Sequence, residues 1–501
     1  FQIKYINTKI NAIDVGLKEK SIFNCPINLK STETSITVSQ NNYLKKSSIS
    51  NPKLVSYLSS IAIKSLKEKA INTTLTEKIE ILMSNYENHY NNISIQEISN
   101  QLGISVNTLR NHLSRDKTTF RQVFNNYKLM KSKNMLKEGI TTFYTIKHGA
   151  TYFYDISSKS QMKQPGQESF IILDNIRESN KVFKNSEVVI EDLGDGILNC
   201  EFQSKMNSIG GDVLAGLNKA VDFAEKDFDG LVIGNQGSNF SVGANIGMIF
   251  MMAVEQEYDE LNMAIKYFQD TVMRMRYSSI PTVVAPHGLS LGGACELSMH
   301  ADKVVAAAET YIGLVEFGVG VIPGGAGSKE MALRASDTFH TGDVELNVLQ
   351  DYFLTVGMAK VATSAYEAFD LGILQKGKDI VVVNRDRQIA TAKAHARLMA
   401  DSGYTQPVRR KDVKVLGKQA LGMFLVGTDA MEASRYISEH DQKIANKLAY
   451  VMAGGDLSQP TLVSEQYLLD LEREAFLSLC TERKTLERIQ HMLKTGKPLR
   501  N

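Results

Sequence analysis

Between Phe240 and Gly327 the chain makes three glycine-containing turns, each standing where a short apolar run ends. They are Phe240-Ser241-Val242-Gly243-Ala244-Asn245-Ile246, Gly288-Leu289-Ser290-Leu291-Gly292-Gly293-Ala294-Cys295-Glu296-Leu297, and Glu316-Phe317-Gly318-Val319-Gly320-Val321-Ile322-Pro323-Gly324-Gly325-Ala326-Gly327. Glycine permits a positive φ and close approach, so such turns can present main-chain amides to a bound molecule. The runs Leu231–Gly234, Thr282–Ala285 and Val304–Ala307 are apolar throughout, as strands buried on both faces are. Val213, Leu217 and Val221 recur at helical spacing, and Gly293–Met299 opens another helix. Repeated ββα units of this kind predict an α/β layered core.

Composition divides the chain in two. Of its 35 glycines only Gly16, Gly103 and Gly139 precede residue 140, and the net charge of +2 splits into about +10 up to Ile140 and about −8 beyond it. At 501 residues the chain is long enough for two to four domains. No apolar run approaches the ~18 residues of a membrane helix. Four scattered cysteines (Cys25, Cys200, Cys295, Cys480) argue against a disulfide framework or zinc site and for a reducing cytoplasm. The opening at Phe1 has no basic start leading into an apolar block, so no signal peptide is expected and the start looks like a truncated reading frame.

Residues 1–74 are expected to be irregular or weakly β, with a helix over Pro52–Ala70. A small all-α module follows over 75–138. Ile79, Ile81, Leu82 and Tyr86 fall near helical spacing. Ser94 with Glu97 three residues on forms a capping box; the helix it starts buries Ile95, Ile98 and Leu102 and stops at Gly103. Ser105 then caps a second helix through Val106, Leu109 and Leu113. Helix, glycine turn and helix make a helix-turn-helix whose second helix would present Asn107, Thr108, Arg110 and Asn111. Ile95–Leu136 resembles the DNA-binding domain of AraC-type regulators, notably in Gln96-Glu97-Ile98-Ser99, Leu102-Gly103-Ile104-Ser105 and Thr119-Phe120-Arg121-Gln122. That resemblance implies DNA as a partner. Only the first of the family's two units is visible, and half the phosphate contacts would weaken binding steeply.

Residues 139–184 are expected to hold an aromatic hairpin (Phe143–Ile146, Tyr152–Tyr154) and a linker marked by Gln164-Pro165-Gly166-Gln167. A core over 185–390 opens with a hairpin, Val188–Glu191 and Ile197–Phe202, around Gly194-Asp195-Gly196. A helical region over 391–501 follows, with helices over Ala390–Met399 and Ala430–Met452 and a break at Gly454-Gly455-Asp456. Its length suggests an oligomer or partner surface. No turn is a P-loop and no Gly-x-Gly-x-x-Gly follows a strand, so nucleotide hydrolysis and dinucleotide binding lack support.

Together the three turns resemble the crotonase superfamily, in particular enoyl-CoA hydratase, over Glu187–Gly327. The likeness resumes at Leu471-Glu472-Arg473-Glu474-Ala475-Phe476 and Gly496-Lys497-Pro498. It implies a crotonase-like spiral of ββα units, and some fatty-acid oxidation enzymes join such a module to a 3-hydroxyacyl-CoA dehydrogenase, which is not expected within this sequence because no dinucleotide motif is present. The family's oxyanion hole maps to the amides of Ala244 and Gly293, and its two acids to Glu296, which would activate water, and Glu316, which would protonate Cα. These roles could interchange. As single residues Glu296 could equally be a carboxylate held by a helix N-terminus, and Glu316 a solvated loop acid. The resemblance places substrate at Lys205, Met206, Gly243, Asn245, Ile246, Gly292, Pro323 and Gly324. Met248–Met252 could line an acyl pocket or simply be helix core. His287, His300 and Cys295 lack a paired nucleophile or base and are expected to be structural. Ala294, often glycine in the family, requires a negative φ. The implied function is hydration of an enoyl-CoA in fatty-acid β-oxidation, with coenzyme A entering as part of the substrate and no metal or cofactor. A cytoplasmic trimer or hexamer is expected from the resemblance. The rival readings are an acyl-CoA-sensing DNA-binding regulator and an enoyl-CoA isomerase.

Overall fold

A computed structural model describes residues 3–7, 27–28, 35–38, 74–84, 93–137, 144–147, 150–155, 160–166 and 169–501. The helix expected over Pro52–Ala70, and Tyr86, lie outside these residues. The chain forms two units, residues 1–141 with 156–158 and residues 142–155 with 159–501.

The first unit has a small sheet of β1 (Ile3–Asn7), β2 (Ile27–Asn28) and β3 (Ser35–Val38), in the order β2-β1-β3. Four helices follow: α1 (Leu75–Ser84), α2 (Ile95–Leu102), α3 (Val106–Arg115) and α4 (Phe120–Lys137). Their ends form for local reasons. The Ser94 hydroxyl accepts from the Glu97 amide, Gly103 ends α2 at φ 68°, and the Ser105 hydroxyl accepts from the Thr108 amide. Ile79, Met83, Ile98, Leu109, Leu113 and Tyr127 close the core. Ile81, expected inward, is exposed; Met83, four residues after Ile79, takes the buried position.

The second unit starts with a sheet of β4 (Tyr144–Lys147), β5 (Ala150–Asp155) and β6 (Ser160–Lys163), in that order and antiparallel. The third strand was expected to be linker. A short helix, α5 (Leu173–Ile176), leads into the main sheet. Its strands are β7 (Lys181–Lys184), β8 (Val188–Asp192), β9 (Ile197–Phe202), β10 (Gly230–Ile233), β11 (Thr282–Val284), β13 (Lys303–Ala307) and β16 (Ile380–Val382). They lie in the order β16-β13-β11-β10-β9-β8-β7. The pairings from β9 to β16 are parallel, and β7-β8-β9 form an antiparallel meander around the expected glycine turn.

Parallel strands need cover on both faces. Helices α6 (Gly211–Asp227) and α8 (Tyr258–Arg276) supply one cover, bringing Val213, Leu217, Val221 and Val272 against Ile190, Leu198 and Ile233. Helix α13 (Gln388–Asp401) supplies the other, setting Ile389, Ala392 and Ala396 on Val232, Val283 and Val305. Each buried aliphatic side chain contributes about 1.5–3 kcal/mol. The sheet thus begins at Lys181, before the boundary expected at 185, and its cover helix runs through the boundary expected at 390.

A second sheet, β12 (Gly288–Leu291), β14 (Thr310–Gly313) and β15 (Val361–Ala362), stands beside the first. Around it lie α7 (Ile246–Val254), α9 (Gly293–Met299), α10 (Gly327–Asp337), α11 (Glu345–Gly357) and α12 (Ala365–Asp370). The remaining elements are β17 (Val413–Val415), α14 (Lys418–Ala433), α15 (Glu439–Met452), β18 (Thr461–Val463), α16 (Glu465–Cys480) and α17 (Arg483–Thr495). One helix was expected over Ala430–Met452. The chain instead breaks at Arg435, φ 57°, and restarts at Ser438, which caps α15. Ile444, Leu448 and Met452 of α15 are buried in the main core. Among the described residues no helix is long and apolar enough to cross a membrane.

Candidate active site

The site is built where the three glycine turns meet. Segments 207–209 and 243–245 run side by side. The Ile209 amide donates to Gly243 O (2.8 Å) and the Asn245 amide to Ile209 O (3.1 Å). Ser241 bridges to Ser290, which sets the first turn against the second. A Cβ on Gly243 (φ 94°) would fall 2.5 Å from Leu291 O and 3.2 Å from the Gly293 nitrogen, and one on Gly293 would fall 3.2 Å from the Ala244 nitrogen. The two predicted amides are therefore neighbours, and among the described residues neither donates to another protein group. Ala294 is buried and is not among the positive-φ residues; Gly292, at 53°, carries that conformation.

Glu316 opens a 3-10 turn, Glu316–Val319. Its carboxylate lies over the second glycine turn, since a Cβ on Gly292 would be 3.0 Å from Glu316 Oε1. Glu316 Oε2 is enclosed without a hydrogen-bond partner. Burial raises this carboxyl to about 8, with the charge of Glu472 adding to the rise.

Glu296 projects from α9, yet it caps a different helix. Its Oε1 accepts from the amides of Gly325 and Gly327, both at 2.8 Å, at the start of α10. Helix N-termini leave four amides without intrahelical partners, and a carboxylate satisfies them well. Burial, Glu316 and Glu472 together hold the Glu296 carboxyl well above the ordinary range. Both acids are raised. Amide donors oppose that rise at both acids: those of Gly325 and Gly327 at Glu296, and those of Val315 and Glu316 itself at Glu316.

A third acid went unremarked in the sequence as a site residue. Glu472, fully buried on α16, accepts from the Ala326 amide (2.6 Å) and the Lys329 amide (2.9 Å). Gln269 Nε2 also donates to it at 3.2 Å. In the sequence Glu472 stood within the Leu471–Phe476 segment of the crotonase likeness, with no role attached to it.

The other expected residues divide. Lys205 and Met206 stand exposed on the 3-10 turn Lys205–Asn207, beside the Ala244 turn. Asn245 caps α7, accepting from Gly247 (3.1 Å) and Met248 (3.4 Å), and Ile246 begins that helix. Pro323 and Gly324 are buried, with Gly324 under the Phe476 ring, so they support the third turn. Ile249 and Met252 pack into the core, whereas Met248 and Met251 are about half exposed. His300 Nε2 meets Lys329 Nζ at 2.8 Å, and Nδ1 meets Glu296 O at 2.7 Å. An ammonium only donates, so Nδ1 carries the proton; burial and Lys329 keep the ring neutral. His287 Nε2 pairs with Gly237 O at 3.0 Å, and Cys295 is buried. Asn107, Thr108, Arg110 and Asn111 are all exposed on α3, in the first unit.

Residues 193–336 match the family model described as enoyl-CoA hydratase/isomerase. A Bacillus subtilis (strain 168) protein named "Probable 3-hydroxyacyl-CoA dehydrogenase" is 44% identical over 370 residues, 74% of this chain and 46% of that protein. A Rickettsia prowazekii (strain Madrid E) protein named "Putative fatty acid oxidation complex trifunctional enzyme" is 28% identical over 67% of this chain and 43% of its own length. The chain thus spans less than half the length of these relatives. The crystal structure of an enoyl-CoA hydratase from Bacillus halodurans aligns with 61% of this chain and 99% of its own, at 14% identity and TM-score 0.42. These matches lend no support to an AraC-type likeness for residues 95–136. What the family match establishes is that the chain carries a crotonase-superfamily domain, of the enoyl-CoA hydratase/isomerase kind, within residues 193–336.

Proposed function

We propose that the chain is an enoyl-CoA hydratase, adding water across the 2,3 double bond of an enoyl-CoA thioester in fatty-acid β-oxidation. The observation that carries this reading is a Glu316 carboxyl with its enclosed Oε2 unpartnered, beside two neighbouring amides that have no protein acceptor among the described residues. Hydration builds enolate charge on the thioester oxygen. The Ala244 and Gly293 amides would accept that charge, and one such donor is worth about 2.7–4 kcal/mol elsewhere. Glu316, protonated below about 8, would deliver the proton to Cα. Glu296, its carboxylate form stabilised by the Gly325 and Gly327 amides, would take a proton from the water attacking Cβ. Lys205 and Met206 flank the Ala244 turn, where coenzyme A would run. As in the sequence expectation, coenzyme A is substrate and no further cofactor is invoked; a cytoplasmic trimer or hexamer remains part of the proposal.

The test is the ultraviolet absorbance of crotonyl-CoA. It should decay rapidly with the intact chain and about 10²–10⁴-fold more slowly with Glu316→Gln or Glu296→Gln. Activity should fall as pH rises through about 8, because the Cα proton donor is then lost. Wild-type decay unaffected by either substitution sinks the reading.

One observation favours a second reading. Glu296 Oε1 is already engaged by two amides, whereas Glu316 keeps Oε2 without a partner. One acid is enough to move a proton between Cα and Cγ, as an enoyl-CoA isomerase does. Supplying a 3-enoyl-CoA distinguishes the two: accumulation of 2-enoyl product without hydration supports the isomerase.

A further inference from the structure

Four backbone amides within residues 325–329, at the start of α10, are divided between two carboxylates from distant parts of the chain. Gly325 and Gly327 donate to Glu296, while Ala326 donates to Glu472 Oε1 and Lys329 to Oε2. The alternation depends on Ala326, whose φ of 86° turns successive amides to opposite sides. That conformation costs a non-glycine residue of order 1–3 kcal/mol and persists only where its surroundings fix it. The Glu472 bond to the Ala326 amide is such a constraint. Gln269 Nε2 braces Glu472 from α8, and the neighbouring Phe268 ring lies against Gly293 and Gly325.

We propose that Glu472 is a positioning residue: by clamping the Ala326 and Lys329 amides it fixes the turn whose Gly325 and Gly327 amides hold Glu296. The inference rests on the reading of Glu296 and Glu316 as the acid–base pair. Its second consequence is electrostatic. Glu472 faces Glu296, Glu316 and the Lys329 ammonium, and Arg473 beside it is turned to Gln269 Oε1 at 3.0 Å. Its negative charge holds the protons of both other acids more tightly. Glu472 itself is raised to about 7 by burial, so it is mostly ionised where Glu316 titrates.

The experiment compares the full chain with Glu472→Gln and Glu472→Asp. Glutamine keeps the volume, removes the charge, and sets an NH2 group against an amide donor. Its kcat for crotonyl-CoA should fall at least about tenfold with KM within about twofold, and the alkaline limb should move to lower pH by about half a unit. Aspartate keeps the charge but has a shorter reach, so its limb should stay in place while kcat falls. A limb and kcat unchanged in both variants, even with a lowered Tm, overturn the inference. Should the glutamine chain not fold, the aspartate chain decides alone: lowered kcat supports the clamp, wild-type kcat overturns it. The clamp is also read without turnover, from faster hydrogen exchange at the Gly325 and Gly327 amides and a lowered Glu316 carboxyl titration in Glu472→Gln. If wild type turns over neither a 2-enoyl nor a 3-enoyl-CoA, the functional reading fails, and these two measurements still decide the clamp.

Discussion

Gly292 and Gly243 both hold a positive φ in the site, and they differ in what an added methyl group would strike. At Gly292 it would meet the end of the Glu316 side chain at 3.0 Å, and the φ of 53° is strained for any other residue. At Gly243 it would meet the Leu291 carbonyl at 2.5 Å, which is backbone and cannot swing aside. Gly292→Ala should therefore fold, with Tm lowered by a few degrees, and lose at least about tenfold in kcat as Glu316 is displaced. Gly243→Ala should lose the folded state or most of its yield. Paired thermal melts and hydration rates check both, and a Gly292→Ala chain of wild-type kcat would remove Glu316 from its place over the turn. Glu316 also marks a cost in stability. Its folded carboxyl lies near 8 against an ordinary 4.5, so the folded state binds the extra proton between those values. Stability from this group is present below about pH 4.5 and is lost as pH rises toward 8. The same burial suits an acid that must stay protonated at neutral pH.

At the scale of elements, α17 holds the Glu316 turn from behind. The Thr485 hydroxyl donates to Gly320 O at 2.7 Å and accepts from His440 Nε2 at 2.9 Å. The buried Arg488 guanidinium pairs with Asp441 at 2.8 Å and lies against Gly320. Arg488→Met should cost about 3 kcal/mol, since it leaves Asp441 desolvated with only the half-exposed Arg500. Denaturant melts measure this, and a change under about 0.5 kcal/mol would deny α17 its role. None of this clamp was legible in the sequence, because its partners are far apart in the chain. Elements fixed by local chemistry were legible: Ser94, Gly103 and Ser105 mark helix ends through their own neighbours. The three glycine turns were legible because positive φ leaves a signature in residue type, as at Gly243 and Gly292, whereas the amides of Ala244 and Gly293 came from the family resemblance. Glu472 belonged to the Leu471–Phe476 likeness, but its role left no signature, since its meaning lies in amides 146 residues away. The break at 434–438 was missed because helical spacing continues across it, and only Ser438 hinted at a restart.

For the whole molecule, the unit boundary and the beginning of the sheet fall at different places, and two truncations separate them. Among the described residues each hydrophobic cluster lies within one unit, so the unit from residue 142 onward keeps all of its own core. A chain of residues 142–501 should retain kcat/KM within about twofold and unfold in one transition. Beginning at Lys181 instead preserves every strand of the main sheet but removes the β4-β5-β6 sheet and α5. It takes away Leu173, buried on the sheet, and Arg177, which grips Glu201 through two bonds of 2.9 and 3.0 Å. Glu201 lies beside Glu191, a carboxyl raised to about 9 by burial and by that neighbour, with one oxygen enclosed and unpaired. Without Arg177 the pair would hold buried negative charge uncompensated, at a cost of about 3–5 kcal/mol. The shorter chain should therefore be less stable than residues 142–501 by that order, and the gap should widen as pH rises toward 9. Glu201→Gln in the shorter chain should recover part of it. Equal melting of the two truncations across pH 6–9 would show that α5 only covers the sheet and that Arg177 neutralises nothing.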